Sequence, residues 1–270
     1  MRKIRVVLIT LLVLVTAVFV LTKVKSGFSH ADEGPTMKCE DKLIEISVTD
    51  GEEKLLLGVT ARDAQDGDLT DKITVSGISK LITADTAKVT YLVFDSDGNA
   101  AKLTRDVRYT DYAKPKISVA APLRYYGDKN DVEIIFDLTA TDIIDGDISE
   151  SVRISTLSST KYEEVYSVTA QVTNSMGDTA KVKLPVIFEE RTAERPEITL
   201  SEQVIYLEEG EDFDAEKYIK KVTVSGENIS KDKVEINHSV DTDTPDTYWV
   251  WYTCENEGYT GISVLTVVVN

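Results

Sequence analysis

Acidic side chains in two short segments are the residues of this chain best suited to chemistry. The pattern Ala-x-Asp-x-x-Asp-Gly-Asp occurs at 61–68 and returns at 140–147. Each copy is followed by a second polar segment, at 95–99 and at 174–178, which carries a glycine turn. If the strands before these segments end at the same pole of a domain, the acidic groups of each copy lie together.

Clustered carboxylates suit Ca²⁺, which takes about six to eight oxygen ligands in a flexible geometry. The candidate ligands are Asp63, Asp66, Asp68, Asp95, Asp142, Asp145 and Asp147. A structural role is the favoured interpretation, because Asp-Gly-Asp forms turns and Asp side chains accept hydrogen bonds from nearby backbone N–H groups. We therefore expect no required cofactor, with Ca²⁺ as the alternative.

Catalysis is not indicated. Paired carboxylates are typical of glycosidases, but an active site is rarely copied together with its scaffold. The chain has two histidines, His30 and His238, and no Ser/His/Asp or Cys/His arrangement can be assembled around them. We expect a protein that is not an enzyme and has no catalytic residues.

The acidic segments belong to a longer repeat, because both polar segments recur after the same 79 residues. Pro35, Pro115 and Pro196 lie 80 and 81 residues apart, each just before an apolar run. These joints predict three modules, at 35–112, 113–192 and 193–270. The third module lacks Asp-Gly-Asp and is a diverged copy.

Apolar residues alternate with polar ones inside each module. Examples are the run from Ala87 to Val93 and the series Leu55, Leu57, Val59 and Ala61. A period of two is typical of half-buried strands, and many short strands with frequent turn signals indicate a sandwich. The sequence therefore predicts an all-β chain of tandem antiparallel β-sandwiches.

The Asp-Gly-Asp segment paired with a later Tyr-x-Val-x-Asp-x-x-Gly-Asn hairpin resembles the bacterial immunoglobulin-like repeats of Gram-positive surface proteins. The same repeat is also named after an insecticidal crystal protein. The resemblance covers the first two modules, and Gly210 to Tyr218 with Pro245 to Val250 looks like a sister form. It implies tandem Ig-like sandwiches in a cell-surface array, used as spacers or for adhesion, and it implies no reaction.

The N-terminus predicts where the array is located. Val6–Thr22 is a run of 17 uncharged residues between two groups of basic residues, enough for a helix that crosses a bilayer. We expect a cytoplasmic tip and signal-anchor helix at 1–25 and a stalk at 26–34. A signal peptide cleaved near Ala31 is the alternative. The expected location is the cell membrane, single-pass, with the N-terminus inside and the modules extracellular.

Charge narrows the possible partners. The chain carries a formal net charge of −17, although its first 25 residues hold five basic side chains and no acidic one. The exported part is thus strongly acidic and repels nucleic acid, which is excluded as a partner. The membrane, through the N-terminal helix, is the first expected partner.

Two tryptophans are the other candidate site. In Tyr248-Trp-Val-Trp-Tyr252 both faces of the strand are apolar, and the repeat pattern predicts that Trp249 and Trp251 point away from the core of their module. Exposed, they would bind a protein or glycan ligand. In the alternative, a loop or the segment 214–221 covers them.

Together these features predict a non-enzymatic, membrane-anchored extracellular protein, an array of Ig-like modules that serves as spacer, adhesin or display for a protein or glycan. The alternative is a scaffold subunit of an envelope or secretion assembly. An exported hydrolase ranks third.

Overall fold

The computed structural model describes residues 34–128 and 137–270. The predicted signal-anchor at 1–25 and the stalk up to residue 33 lie outside the described residues. Across the two described ranges, no helix has both the length and the apolar character needed to cross a membrane. The chain divides into two compact units, of which unit 1 ends at Tyr109 and unit 2 runs from Thr110 to Asn270.

Unit 1 holds the first sandwich, built from two sheets. The smaller sheet has the order β1-β3-β4 and the larger one β2-β7-β6-β5. The strands are β1 (Thr36–Cys39), β2 (Leu43–Ile46), β3 (Val59–Asp63), β4 (Gly67–Asp68), β5 (Thr74–Ile78), β6 (Thr86–Phe94) and β7 (Ala100–Tyr109). A helical turn, α1 (Glu52–Leu55), and a 3₁₀ turn, Thr70–Lys72, complete the unit.

Leu55 and Leu57 are not part of a strand, contrary to the alternating pattern. Leu55 ends α1, and Gly58, with a φ of 71°, turns the chain before β3 begins at Val59. The carbonyl groups left free at this turn are satisfied from a distance. Arg105 donates to the carbonyls of Leu55 and Leu57, and the Tyr91 hydroxyl donates to that of Leu55 at 2.6 Å. These hydrogen bonds stabilise a helical turn that local periodicity does not predict.

Unit 2 begins with the second sandwich. Its smaller sheet has the order β11-β10-β8 and its larger sheet β12-β14-β15-β9, with β13 beside β14. The strands are β8 (Lys116–Val119), β9 (Arg124–Tyr126), β10 (Leu138–Asp142), β11 (Gly146–Asp147), β12 (Arg153–Ile154), β13 (Ser158–Ser159), β14 (Val165–Thr173) and β15 (Thr179–Glu189). Ser149–Ser151 is a 3₁₀ turn.

The third sandwich completes unit 2. Its sheets have the orders β16-β18-β19 and β17-β22-β21-β20. The strands are β16 (Glu197–Leu200), β17 (Val204–Leu207), β18 (Ile219–Val224), β19 (Glu227–Ile229), β20 (Glu235–His238), β21 (Thr247–Asn256) and β22 (Tyr259–Val269). Short 3₁₀ turns lie at Glu216–Tyr218 and Lys231–Lys233.

The sandwiches are not purely antiparallel. In each, the second strand pairs in parallel with the last one, as β2 with β7, β9 with β15 and β17 with β22. The reason is that the chain leaves the smaller sheet after its first strand and joins the free edge of the larger sheet. Alternation of apolar residues reports which face is buried but carries no information about strand direction, so the sequence did not predict these pairs.

Three apolar clusters are found among the described residues of unit 2, 110–128 and 137–270. Ile117, Val168 and Leu184 are central to the second sandwich, and Val250, Tyr252 and Leu265 to the third. Between the two sandwiches lies a cluster to which both contribute, namely Val165, Ile187, Trp251, Ile262 and Val264, with Tyr162 and Trp249 packed against it. The second and third sandwiches therefore share a hydrophobic interface inside one unit.

Candidate functional site

In unit 1 the acidic loop after β3 and the β6–β7 hairpin meet through one carboxylate. Asp66 accepts hydrogen bonds from the backbone nitrogen and the hydroxyl of Ser96, at 2.6 and 2.8 Å. Asp63 stays within its own loop, where its Oδ1 accepts from the backbone nitrogens of Gln65 and Asp66. The structure thus brings the two polar segments together, and it does so by hydrogen bonds within the protein.

The other two candidate ligands of unit 1 are also engaged. Asp68 Oδ1 accepts from the backbone nitrogen of Thr70 at 2.9 Å. Asp95 accepts from the backbone nitrogen of Asn99 at 2.7 Å and from its side-chain amide at 2.8 Å. Ser96 holds the pKa of Asp66 below its ordinary value, and Thr70 does the same for Asp68. Burial acts to raise the pKa of Asp95, but the hydrogen bonds from Asn99 bring it below the ordinary value.

Unit 2 repeats this arrangement. Asp145 accepts from the backbone nitrogen and hydroxyl of Ser175, both at 2.6 Å, and so joins the two loops as Asp66 does. Asp142 Oδ1 accepts from the backbone nitrogens of residues 144 and 145. Asp147 accepts from Ser149, which holds the pKa of Asp147 below its ordinary value.

The acidic loops of the second sandwich also form hydrogen bonds with Tyr112, in the segment that precedes this sandwich. Asn174 Nδ2 donates to Asp142 Oδ2 at 3.0 Å and to the Tyr112 hydroxyl at 2.9 Å. Tyr112 in turn donates to Asp178 at 3.0 Å. Desolvation raises the pKa of Tyr112, so its hydroxyl keeps its proton as a donor. Asn174 and Asp142 are buried in this network, and Tyr112 and Asp178 are partly buried.

These contacts describe what the acidic loops can do chemically. Within residues 34–128 and 137–270, no group of three or more His, Cys, Asp or Glu side chains is arranged to hold a metal ion. The carboxylates mainly accept hydrogen bonds that fix the turns. One oxygen differs, since Asp63 Oδ2 is buried and has no hydrogen-bond partner.

Ser96→Ala is expected to raise the pKa of Asp66 toward its ordinary value, because Ser96 supplies the hydroxyl hydrogen bond that stabilises the carboxylate. A carboxylate whose pKa is lowered by folding contributes stability above its unfolded pKa, and this contribution disappears as the pH falls through the folded-state pKa. The variant should therefore lose less stability on acidification. Carboxyl-carbon NMR titration measures the shift, with Asp147 as the internal reference that should not move.

The two tryptophans point away from the core of the third sandwich and pack against the second one, which buries Trp251 and leaves Trp249 half-buried. Trp251 is 8% exposed and packs against Tyr162, with ring centroids 4.5 Å apart. Trp249 Nε1 donates to the carbonyl of Lys183 on β15 at 2.8 Å, and the Lys183 ammonium lies 5.0 Å from the Trp249 ring centroid. In unit 2 these side chains form an interface between sandwiches, and Trp251 leaves almost no surface for an external ligand.

Beside the tryptophans lies a ladder of alternating charges that the sequence analysis missed. Arg124 binds Glu189 at 2.5 Å, Glu189 lies 3.7 Å from Arg195, and Arg195 binds Glu164 through two hydrogen bonds of 2.9 and 3.0 Å. Glu164 raises the pKa of Arg195, which stays charged. We call these four residues the charge ladder. The available signal was the acidic pair Glu189 and Glu190 at the end of the apolar run of β15.

The charge ladder also crosses between the sandwiches through backbone groups. Arg124 donates to the carbonyl of Ile262 and to the Ser263 hydroxyl on β22, and Arg195 donates to the carbonyl of Thr260. The linker before β16 runs close to the same strand, where a Cβ at Gly261 would lie 2.0 Å from the carbonyl oxygen of Pro196. Charge, backbone and apolar contacts thus fix one arrangement of the two sandwiches.

An open groove of about 960 Å³ continues from this interface on the outer face of the third sandwich. Tyr162 and Glu163 line it from the second sandwich, and Glu235, Glu255 and Tyr259 line it from the third. Tyr259 is 38% exposed at the β21–β22 turn. The groove therefore combines an accessible aromatic ring, that of Tyr259, with polar side chains.

His238 and the two cysteines are the remaining side chains that could act as a base or a nucleophile, and the contacts of His238 and Cys254 are those of packed residues. His238 Nδ1 accepts from the backbone nitrogen of Val240 at 3.3 Å, and the Phe213 ring lies edge-on to the imidazole. Cys39 and Cys254 are free thiols, and Cys254 is buried in the core of the third sandwich.

Part of unit 1 matches a known protein family. Residues 41–108 match the model of the bacterial surface protein Ig-like domain. No curated protein matches the chain.

Solved structures resemble the chain only distantly. Two are from Clostridium perfringens ZmpB, namely the M60 catalytic domain with the CBM51-1 and CBM51-2 domains and CBM51-2 in complex with GlcNAc together with INT domains. They are 15% and 18% identical, each with a TM-score of 0.24; the matches cover 89% and 87% of this chain but only 31% and 42% of theirs. The protocadherin GammaB4 extracellular domain is 12% identical, with a TM-score of 0.22 and coverages of 90% and 50%. The chain spans 31–50% of the length of these structures, and TM-scores of this size transfer neither ligand nor activity.

The family match rests on the segment that contains both polar loops, the β6–β7 hairpin and the parallel β2–β7 edge. It covers almost all of the first sandwich. Residues 41–108 of this chain are a bacterial surface protein Ig-like domain.

Proposed function

We propose that this protein is a non-enzymatic, membrane-anchored extracellular protein in which Ig-like modules act as a spacer and display a binding surface. The observation that carries the proposal is the covered tryptophan face. Trp249 and Trp251 lie outside the core of their own sandwich yet pack against its neighbour, so the second and third modules share one hydrophobic interface. Two modules held together by such an interface suit spacing and display.

The anchoring part of the proposal rests on the apolar segment Val6–Thr22 and its basic flanks. Its test is a full-length chain with a C-terminal epitope in a Gram-positive host. We expect the epitope on intact cells to be accessible to antibody and to added protease, and to sediment with membranes. Deletion of residues 1–25 should leave it inside the cell. An epitope protected in intact cells, or released into the medium, would contradict the anchored topology.

A binding role is supported by the groove beside the interface. Its tyrosines and polar side chains are of the kinds that contact sugar rings and peptide backbones, and it is open to solvent. We propose a glycan as the ligand class, because an exposed aromatic ring flanked by hydrogen-bonding groups matches the two faces of a sugar.

Glycan arrays probed with the full chain test this role. Tyr259→Ala is expected to abolish binding, since Tyr259 lines the groove and is 38% exposed. The matched control is Phe94→Ala in unit 1, which removes an aromatic ring that is 55% exposed elsewhere in the chain. Equal loss in both variants, or no glycan bound by the unaltered chain, would argue against a glycan-binding groove and favour the scaffold alternative.

A further inference from the structure

The acidic ends of the first and second sandwiches share their turn hydrogen bonds but exchange an aspartate and an asparagine, since the first hairpin has Asp95 and Asn99 where the second has Asn174 and Asp178. In each, a backbone nitrogen at the start of the hairpin turn donates across it at 3.0 Å, Asp95 to Asn99 and Asn174 to Asp178. In each, an aspartate from the Asp-Gly-Asp loop bonds the next residue, Ser96 or Ser175. Asp95 therefore stands where the second sandwich has Asn174.

This difference changes the hydrogen bonding of the neighbouring aspartate. In the second sandwich, Asn174 Nδ2 donates to Asp142 Oδ2 at 3.0 Å. A carboxylate at position 95 has no proton to donate, and the equivalent oxygen, Asp63 Oδ2, is buried without a hydrogen-bond partner. Asp63 is 5% exposed and Asp95 is 9% exposed. Two buried carboxylates thus take the place of one carboxylate and one amide.

We propose that Asp63 and Asp95 bind a calcium ion in unit 1, at the position where the amide of Asn174 lies in the second sandwich. A buried carboxylate oxygen without a partner is costly, and the repeat puts the Asp95 carboxylate at the position from which the Asn174 amide contacts the equivalent oxygen, so a second negative charge there favours a cation. Oxygen ligands of this kind suit Ca²⁺. Asp95 accepts from Asn99 at both oxygens, yet each carboxylate oxygen can accept more than one partner.

The proposed site uses two of the seven aspartates that the sequence offered as calcium ligands. Asp66 and Asp68 use their carboxylates to hold Ser96 and Thr70, and in the second sandwich Asn174 replaces the second carboxylate. With two carboxylates, and with water completing the shell, affinity falls in the range of extracellular modules, with a Kd of about 0.1–1 mM.

Hydrogen exchange of the full chain tests the proposal within one sample. The amides of Gln65, Asp66 and Asn99 bond to Asp63 or Asp95, so their exchange reports the opening of this pole. At 10 mM CaCl₂, against KCl of equal ionic strength, we expect their exchange to slow by about tenfold or more, as bound ligand suppresses opening in proportion to its concentration over Kd. The amides of Ile144, Asp145 and Asp178 at the second pole should not respond.

Three variants sharpen the test. Asp95→Asn should remove the calcium effect at the first pole, and Asn174→Asp should create one at the second. Asp97→Asn, which removes the same charge from an exposed position in the same turn, should leave the effect intact. Three results would overturn the proposal: no slowing by calcium, equal slowing at both poles, or loss of the effect in Asp97→Asn as complete as in Asp95→Asn.

Discussion

Replacing Trp251 with alanine is expected to lower the free energy of unfolding of unit 2 by about 3–5 kcal/mol. The indole is 8% exposed and packs on Tyr162, 4.5 Å between ring centroids, within a cluster drawn from both sandwiches. It also faces the Trp249 ring at 5.6 Å and the Lys161 ammonium at 5.3 Å. The cavity would lie between the sandwiches, so we further expect their unfolding transitions to separate.

Guanidinium denaturation of the full chain, followed by circular dichroism, measures the change, and hydrogen exchange of β14 and β22 peptides assigns it to unit 2. The matched control is Tyr259→Ala, which removes an exposed ring from the turn after the same strand and should cost less than about 1 kcal/mol. If Trp251→Ala costs no more than this control, the tryptophan face is not what holds the two sandwiches together.

Replacing Glu189 with glutamine is expected to destabilise unit 2 by a similar amount, about 3–5 kcal/mol. The Glu189 side chain is 5% exposed and accepts from Arg124, whose side chain is 11% exposed. It also lies 3.7 Å from Arg195. Glutamine keeps the shape but leaves the Arg124 guanidinium buried without a counter-charge, and the desolvation of that cation is no longer offset.

Glu190→Gln is the control, because it removes the same charge from the next, exposed residue and should change stability by less than about 0.5 kcal/mol. A double-mutant cycle with Arg124→Met isolates the pair, and we expect a coupling energy of about 1–3 kcal/mol. Since the pair is buried, added salt should weaken it little. Additive effects in the cycle would mean that Arg124 acts only through its bonds to Ile262 and Ser263.

The local patterns of the sequence predicted strands and the faces of those strands that are buried. The run from Ala87 to Val93 predicted a half-buried strand, and the structure has β6 there, with Val89 and Tyr91 fully buried. The repeat pattern also predicted the inward side of β21, where Val250, Tyr252 and Cys254 are in the core. These predictions succeed because a period of two is a property of the extended backbone and needs no knowledge of the neighbouring elements.

Patterns of this kind failed where a distant group decided the local conformation. Leu55 and Leu57 continue an alternating series, yet Leu55 ends a helical turn and Leu57 lies in the turn after it, where Arg105 and Tyr91 bind the freed carbonyls from about 36 to 50 residues away. The parallel strand pairs were missed for the same reason, since strand direction depends on where the chain re-enters the sheet.

By itself, the sequence determined the β-strand character, the Ig-like family of residues 41–108 and the pairing of the acidic loops with the hairpins that follow, because all of these rest on repeated local patterns. Only the tertiary structure decided what covers Trp251 and which aspartate oxygen is buried without a hydrogen-bond partner. The contacts that fix these surroundings join residues far apart in the sequence. Arg124 contacts Ile262 between the two sandwiches, and Asp66 contacts Ser96 between the two loops of unit 1. A tryptophan that faces outward from its own sandwich is buried only because a second sandwich packs on it.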